Sequence, residues 1–337
     1  MASKSFTDSI ITYINFGKDN KMKLTTSTGD FGRYIDHIPE RVKEFKDTKF
    51  RYINLEQTGS APEYLCDSED EYKKLAEEFA EAAEFAGVKY VVSHSPCLNA
   101  YAKPTEEYYN QVVRAIRRSI EVCHILDIPR IVVHSCPVSG ATEKEFLEKN
   151  KKFYSEFFDL MEKYNIWVLT ENWDNSGHPY ATGKDLRNIV DYIDHPLLGI
   201  CWDTAHGNIS PKASEMGQYQ NIIDCGDKLK GLHISDNFGD THHHSWPFAG
   251  RINWDSVMQG LMDVNYDGCF TFEASYTLLH ESNLPLGGWP YKRNSFEYNG
   301  EKVTKLMNPS LELKKKAVDL LYDVGKYILD SYDCFEE

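Results

Sequence analysis

The chain has 337 residues, of which 41% are hydrophobic and 26% charged, the balance of a globular protein with a large buried core. No run approaches the ~20 consecutive apolar residues of a membrane span, and the opening MASKSFTDSIITYINFGKDN has one short apolar patch with no small-residue cleavage site behind it. A formal net charge of −15 opposes general attraction to nucleic-acid phosphates or anionic membranes, so a soluble, cytoplasmic protein that binds neither is expected.

After an N-terminal extension over 1–20, eight short apolar or β-branched runs are predicted as strands near Lys23–Ser27, Arg51–Glu56, Lys89–His94, Arg130–His134, Ile166–Glu171, Leu198–Asp203, Leu232–Asp236 and Cys269–Glu273. Lys-Tyr-Val-Val-Ser-His and Arg-Ile-Val-Val-His read as strands covered on both faces, which favours a parallel sheet. Helical stretches separate them. Ser68 with Glu71 and Thr142 with Glu145 each place a hydroxyl before an acid three residues on, the pattern of a capping box. Leu75, Phe79, Ala82, Ala83 and Ala86 recur at helical spacing, as do Val112, Ile116, Ile120 and Cys123. The basic stretches Arg114–Arg118 and Lys314–Lys316 are read as solvated helix faces. Val318, Leu321, Val324 and Ile328 make a closing helix that covers the gap between the last strand and the first. Residues 21–337 are thus expected to form one domain with a long insertion at about 276–309. The eight cysteines are scattered singly, so reduced, structural thiols are expected.

Eight βα units could build an open doubly wound sheet or a closed (β/α)₈ TIM barrel. Closure is favoured because useful residues appear at the end of strand after strand, as they must when every strand delivers its C-terminal end to one mouth. An open sheet gathers its ligand near a switch point only. The runs end in His94, His134, Glu171, Asp203, His233 and Glu273, separated by roughly 30 to 40 residues, about one βα unit each. Singly, each has an ordinary explanation as a rim or core residue. Together, three carboxylates and an imidazole converging on one mouth would repel unless a cation joined them. Such a donor set suits one divalent ion, Mn²⁺, Mg²⁺, Co²⁺ or Zn²⁺, without choosing among them; Mn²⁺ is the first expectation.

Leu-Thr-Glu171-Asn, Trp-Asp203-Thr-Ala-His206-Gly-Asn, Leu-His233-Ile-Ser-Asp236-Asn237 and Thr-Phe-Glu273 resemble the sugar phosphate isomerase/epimerase family, the xylose-isomerase-like TIM barrels that also include endonuclease-IV-type enzymes. The resemblance runs from about Lys23 to about Tyr327. It implies that Glu171, Asp203, His233 and Glu273 ligate the metal. It also points to His206 and to a loop from Asp236 to Trp254. Trinuclear-zinc nucleases of this superfamily carry an Asp-x-His pair in that loop, where this chain has His242 and His244, a departure that speaks against a full three-metal site. His94 and His134 sit where those nucleases have further ligands, or else line the mouth and bind substrate hydroxyls.

A divalent ion beside a carbonyl acidifies the neighbouring C–H, and two carboxylates can remove and return the proton. By resemblance to the ketose 3-epimerases those are Glu171 and Glu273, with His134 a further candidate catalytic residue. His94, His206, His242, His244, Trp173 and Trp246 are candidate substrate-binding residues. Trp202 and Trp289 also lie near predicted strand-end loops, and aromatic faces suit sugar rings. The expected function is proton abstraction on a sugar or keto-sugar, as isomerase, epimerase or lyase. The lyase outcome is that of the metal-binding barrel subunit of bacterial C-glycoside deglycosidases, which the chain resembles in general build. An endonuclease-IV-like phosphodiesterase and a non-catalytic binding barrel are the alternatives. A homo-oligomer, or a hetero-oligomer with a small partner subunit, is the expected assembly.

Overall fold

A computed structural model describes residues 21–173, 180–275, 278, 296–303 and 309–337. The proposed 1–20 extension, Trp289 and most of the proposed 276–309 insertion lie outside the described residues. Eight parallel strands alternate with helices around a closed barrel: β1 (Met22–Ser27), β2 (Tyr52–Glu56), β3 (Lys89–His94), β4 (Arg130–Val132), β5 (Trp167–Glu171), β6 (Leu198–Asp203), β7 (Leu229–His233) and β8 (Phe270–Phe272). Neighbours in sequence are neighbours in the sheet from β1 to β7, and β8 pairs with β1 through Thr25 opposite Thr271. The last seam is held by Ile234 N–H donating to Thr271 O at 2.8 Å and Glu273 N–H donating to Ile234 O at 3.0 Å. The expected TIM barrel is therefore observed.

The helices are α1 (Ile38–Lys43), α2 (Ala61–Leu65), α3 (Glu71–Ala86), α4 (Glu106–Ile125), α5 (Glu143–Ser155), α6 (Phe158–Tyr164), α7 (Gly183–Ile193), α8 (Thr204–Ile209), α9 (Pro211–Cys225), α10 (Trp254–Asp263) and α11 (Leu311–Asp330). The predicted stripes of α3 and α4 are buried, and so are Val318, Leu321 and Ile328 of α11. That helix lies directly on β1 and β8. A Cβ at Gly325 would come within 2.6 Å of Phe272 Cζ and 2.7 Å of Leu24 Cδ2, so only glycine permits the approach.

Four expectations are corrected. β7 spans Leu229–His233, three residues ahead of the predicted Leu232–Asp236: Lys230 fits within it, its ammonium carried out 5.6 Å over the Trp167 ring. Thr142 and Glu145 do form a capping box on α5, but Ser68 does not cap α3; its hydroxyl accepts from Asp70 N–H at 3.2 Å, in the turn before the helix. Arg118 and Lys314 are not solvated. Arg118 is buried with its guanidinium donating to Tyr64 O, Cys66 O and Glu69, and Lys314 is buried against Asp30.

The interior of the barrel sets the site. Strand residues two apart share a face, so Leu169 and Glu171, Cys201 and Asp203, and Gly231 and His233 point the same way. Val132, Leu169 and Cys201 form a small apolar cluster separate from the main strand–helix core. A Cβ at Gly231 would lie 2.6 Å from Leu169 Cδ1, so the glycine leaves room for that leucine. Directly above this layer come the three polar strand ends. All eight cysteines are free thiols. No described helix is long and apolar enough to cross a membrane.

Candidate metal centre

Glu171, Asp203, His233 and Glu273 each present a ligand atom, and the four atoms lie within 4.8 Å of one another. His233 Nδ1 is 3.0 Å from Glu171 Oε1 and 3.1 Å from Glu273 Oε2, which makes it the hub of the group. Glu171, Asp203 and His233 are at most 1% exposed. Buried acids at this density are costly unless compensated. Glu171 Oε2, Asp203 Oδ2 and His233 Nε2 are nevertheless buried with no hydrogen-bond partner among the described residues. Unsatisfied oxygens on Glu171 and Asp203, beside the Glu273 carboxylate and His233 Nδ1, fit a hard or borderline divalent cation.

Charge coupling in the cluster is strong. Burial opposes ionisation of Glu171, but the imidazoles of His233 and His134 overcome it and hold the carboxyl well below its ordinary value. Burial dominates at Asp203, whose carboxyl is pushed up to about 6. Desolvation works against a charged His206, yet the Asp203 and Glu171 carboxylates raise its imidazole to about 10. At His134 burial wins, and the imidazole falls to about 3.

Two braces fix Asp203. Asp203 Oδ1 caps α8 by accepting from His206 N–H at 2.7 Å. Asn172, fully buried, grips the Asp203 backbone from both sides: its Oδ1 accepts from Asp203 N–H at 2.7 Å and its Nδ2 donates to Asp203 O at 2.9 Å. Asn172 directly follows Glu171 in the Leu-Thr-Glu171-Asn motif, and that position was the available sequence signal for its role.

The other predicted residues gather around this group. His94 Nε2 and His134 Nε2 are 3.1 Å apart and lie 3.6 and 3.5 Å from Glu171 Oε2. His94 Nδ1–H donates to Ser95 O, which fixes its tautomer and leaves Nε2 facing the mouth. Cys97, unassigned by sequence, joins His94 and His134 as a second possible ligand cluster. His206 Nδ1–H donates to Asn172 O at 2.8 Å, and its Nε2 is 3.1 Å from His242 Nδ1, so Asp203, His206 and His242 form a third. The rings of His242 and His244 stack 3.7 Å apart, and His244 Nδ1–H donates to Glu273 O. Asp236 organises this loop: its carboxylate accepts from the backbone N–H of Asn237, Phe248 and Ile252 and from Trp254 Nε1.

The Trp173 ring packs 4.6 Å from that of His134, at the mouth. Trp246 is half-buried and packs against the main core, in none of the ligand clusters. Trp202 is a correction: it alternates with Asp203 and so faces the helices, fully buried, with Nε1–H donating to Gln218 Oε1 at 2.9 Å.

Residues 42–286 match the model of the xylose isomerase-like TIM barrel family. An uncharacterized protein, MJ1311, of Methanocaldococcus jannaschii is 32% identical over 189 residues, 54% of this chain and 64% of that one. A probable endonuclease 4 of a Sulfurihydrogenibium species is 22% identical over 181 residues, covering 51% and 60%. A ketose 3-epimerase of Arthrobacter globiformis is 28% identical over 122 residues, covering 36% and 38%. The first two matches span less than two thirds of the relatives' own lengths. Among solved structures, a D-tagatose 3-epimerase-like protein superposes with a TM-score of 0.61 at 21% identity, covering 92% of this chain and 99% of that one. The 3-keto-D-glucoside 4-epimerase of E. coli does so with 0.62 at 16%, covering 90% and 100%. With the family model matching well over half of its length, on a closed barrel whose strand ends carry the ligand cluster, this chain belongs to the xylose isomerase-like TIM barrel family.

Proposed function

We propose that this chain is a divalent-metal-dependent enzyme that removes and returns a proton next to the carbonyl of a keto-sugar, with Glu171, Asp203, His233 and Glu273 as the residues that hold the ion. The observation that carries this is the convergence of four ligand atoms, with buried, unsatisfied carboxylate oxygens on Glu171 and Asp203. When bound, the ion would polarise the carbonyl and its neighbouring hydroxyl and so acidify the C–H between them. Glu171 enters the mouth from the end of β5 and Glu273 from the end of β8, three strands further round. Both are held ionised by their imidazole neighbours, the form a proton acceptor needs. His94, His134, His206 and Trp173 line the mouth, where imidazole N–H groups and an indole face suit the hydroxyls and ring of a sugar. His242 and His244 close one side of it.

The similarity to a ketose 3-epimerase and the fold shared with sugar epimerases support this reading. Return of the proton to the other face gives an epimer and return to the other carbon an isomer. Loss of a β-substituent makes the protein a lyase, and only the lyase releases a leaving group. The test is deuterium uptake from solvent into D-tagatose and D-psicose with added Mn²⁺. Uptake that disappears in Glu171→Gln and Glu273→Gln is expected.

A phosphodiesterase is the second reading, favoured by the additional clusters at His94, Cys97 and His134 and at Asp203, His206 and His242, and by similarity to probable endonuclease 4 proteins. It ranks behind because the −15 charge repels phosphate backbones and the His242 position offers an imidazole in place of a carboxylate. Metal-dependent nicking of abasic DNA, without deuterium uptake in any sugar, would overturn the first reading.

A further inference from the structure

Beside the metal centre a groove of about 860 Å³ runs outward along the loops that follow β3 and β4, with Trp173 and Tyr180 on its other side. It meets the mouth at Trp173, whose ring lies 4.6 Å from that of His134. We propose that this groove is a second subsite, holding an uncharged, ring-bearing substituent of a glycosidic substrate whose reacting sugar sits at the metal centre. The proposal rests on the enolisation reading for the identity of the reacting sugar.

Size is the first argument. Pockets for whole drug-sized ligands are about 300–1,000 Å³, so the groove has room for a ring in addition to the one at the mouth. Its walls are the second. Trp173 and Tyr101 line it, and a buried stack of Phe146 on Tyr180 at 4.0 Å backs the wall behind them. Flat aromatic faces next to polar atoms suit the alternating C–H and O–H surface of a sugar ring, or an aromatic ring. Rigidity is the third argument. Asn99 Nδ2 donates to Pro137 O at 3.1 Å, tying the β3 loop to the β4 loop, and Asn99 Oδ1 accepts from Tyr101 N–H at 2.9 Å. The Tyr101 hydroxyl donates to Lys149 O at 2.7 Å. The walls formed by the β3 and β4 loops are thus set before a ligand arrives, which limits the ordering cost of binding.

Charge decides the class. The rim cation Lys212 is neutralised by both oxygens of Asp185 at 3.1 Å, and Glu143 adds a negative charge. A phosphate or carboxylate on the substrate would find no uncompensated cation among the described lining residues. A neutral ring would pay no such penalty.

The test uses the manganese-loaded chain and three unreactive probes: D-glucose, phenyl β-D-glucoside and cellobiose. Calorimetry on the wild type is expected to show at least one of the two glycosides binding about tenfold more tightly than glucose, the size of an added apolar contact in a substrate pocket. The phenyl and glucosyl arms distinguish an aromatic substituent from a second sugar. Ala141→Trp, which fills the groove, should abolish that advantage and leave glucose affinity unchanged; Ser139→Trp is a second, independent filling. Equal binding of all three probes by the wild type overturns the proposal, as does an advantage that survives both fillings. Tight, groove-dependent glycoside binding with no deuterium uptake in any keto-sugar would instead sink the enolisation reading and leave the subsite standing.

Discussion

Lys314 should be worth more to this barrel than any surface lysine. It projects from the first turns of α11 with its side chain fully buried, its ammonium 3.4 Å from Asp30 Oδ1 and 2.9 Å from Ser275 O. Asp30 is also buried and accepts from Thr26 Oγ1–H at 2.6 Å. At an effective dielectric of 20, two unit charges at 3.4 Å attract by about 5 kcal/mol. Desolvation of both ions offsets much of that. Lys314→Met, however, leaves the Asp30 charge buried with its cation gone, and that state costs about 3–5 kcal/mol. Lys314→Met with Asp30→Asn should recover about half of the loss, since the stranded charge is removed. Equilibrium unfolding in urea measures both, as a fall in midpoint at constant slope. Because Ser275 is two residues beyond Glu273, the single variant should also weaken metal binding. A Lys314→Met protein within about 0.5 kcal/mol of the wild type, the range of ordinary surface substitutions, and with unchanged metal affinity, would refute the reasoning.

The metal centre yields three further expectations. Elemental analysis should find one equivalent of ion per chain held by the four-ligand cluster, lost in His233→Ala and Glu273→Gln; unchanged content in both would remove the assignment. Asn172→Ala should loosen the Asp203 backbone and reduce metal affinity about 10- to 100-fold while the fold persists, checked by equilibrium dialysis beside circular dichroism. Metal affinity should weaken as pH falls through about 6, where the Asp203 carboxyl, raised by burial, takes up a proton that competes with the ion. The sign follows because binding requires the deprotonated carboxylate; the His233 imidazole, which burial opposes but the Glu171 and Glu273 carboxylates help raise well above its ordinary value, must also give up a proton, so affinity keeps rising above that value. A flat profile between pH 5 and 8 in calorimetric titrations would count against Asp203 as a ligand.

The amino-acid sequence by itself determined the alternation of strands and helices, the closure of the barrel, and which residues stand at the strand ends. These are matters of local periodicity: an apolar run bounded by polar residues is a buried strand wherever it packs, and residues at i and i+2 share a face. That is why His94, His134, Glu171, Asp203, His233 and Glu273 were legible at the strand ends, while the resemblance to the sugar phosphate isomerase/epimerase family singled out Glu171, Asp203, His233 and Glu273 as candidate ligands. Only the tertiary structure decided which polar atoms meet across strands. Asn172 is an ordinary asparagine until β6 lies beside β5 and presents the Asp203 backbone to it. Cys97 becomes a possible ligand only when the β3 loop folds over His134. Lys314 and Arg118 read as solvated because each lies in a basic stretch, and the strand around Lys230 was placed three residues too late. Their actual surroundings come from Asp30, from the carbonyls of Tyr64 and Cys66, and from the Trp167 face. Burial of a charged side chain depends on what the fold brings opposite it from distant parts of the chain, and helical or strand periodicity carries no record of that partner.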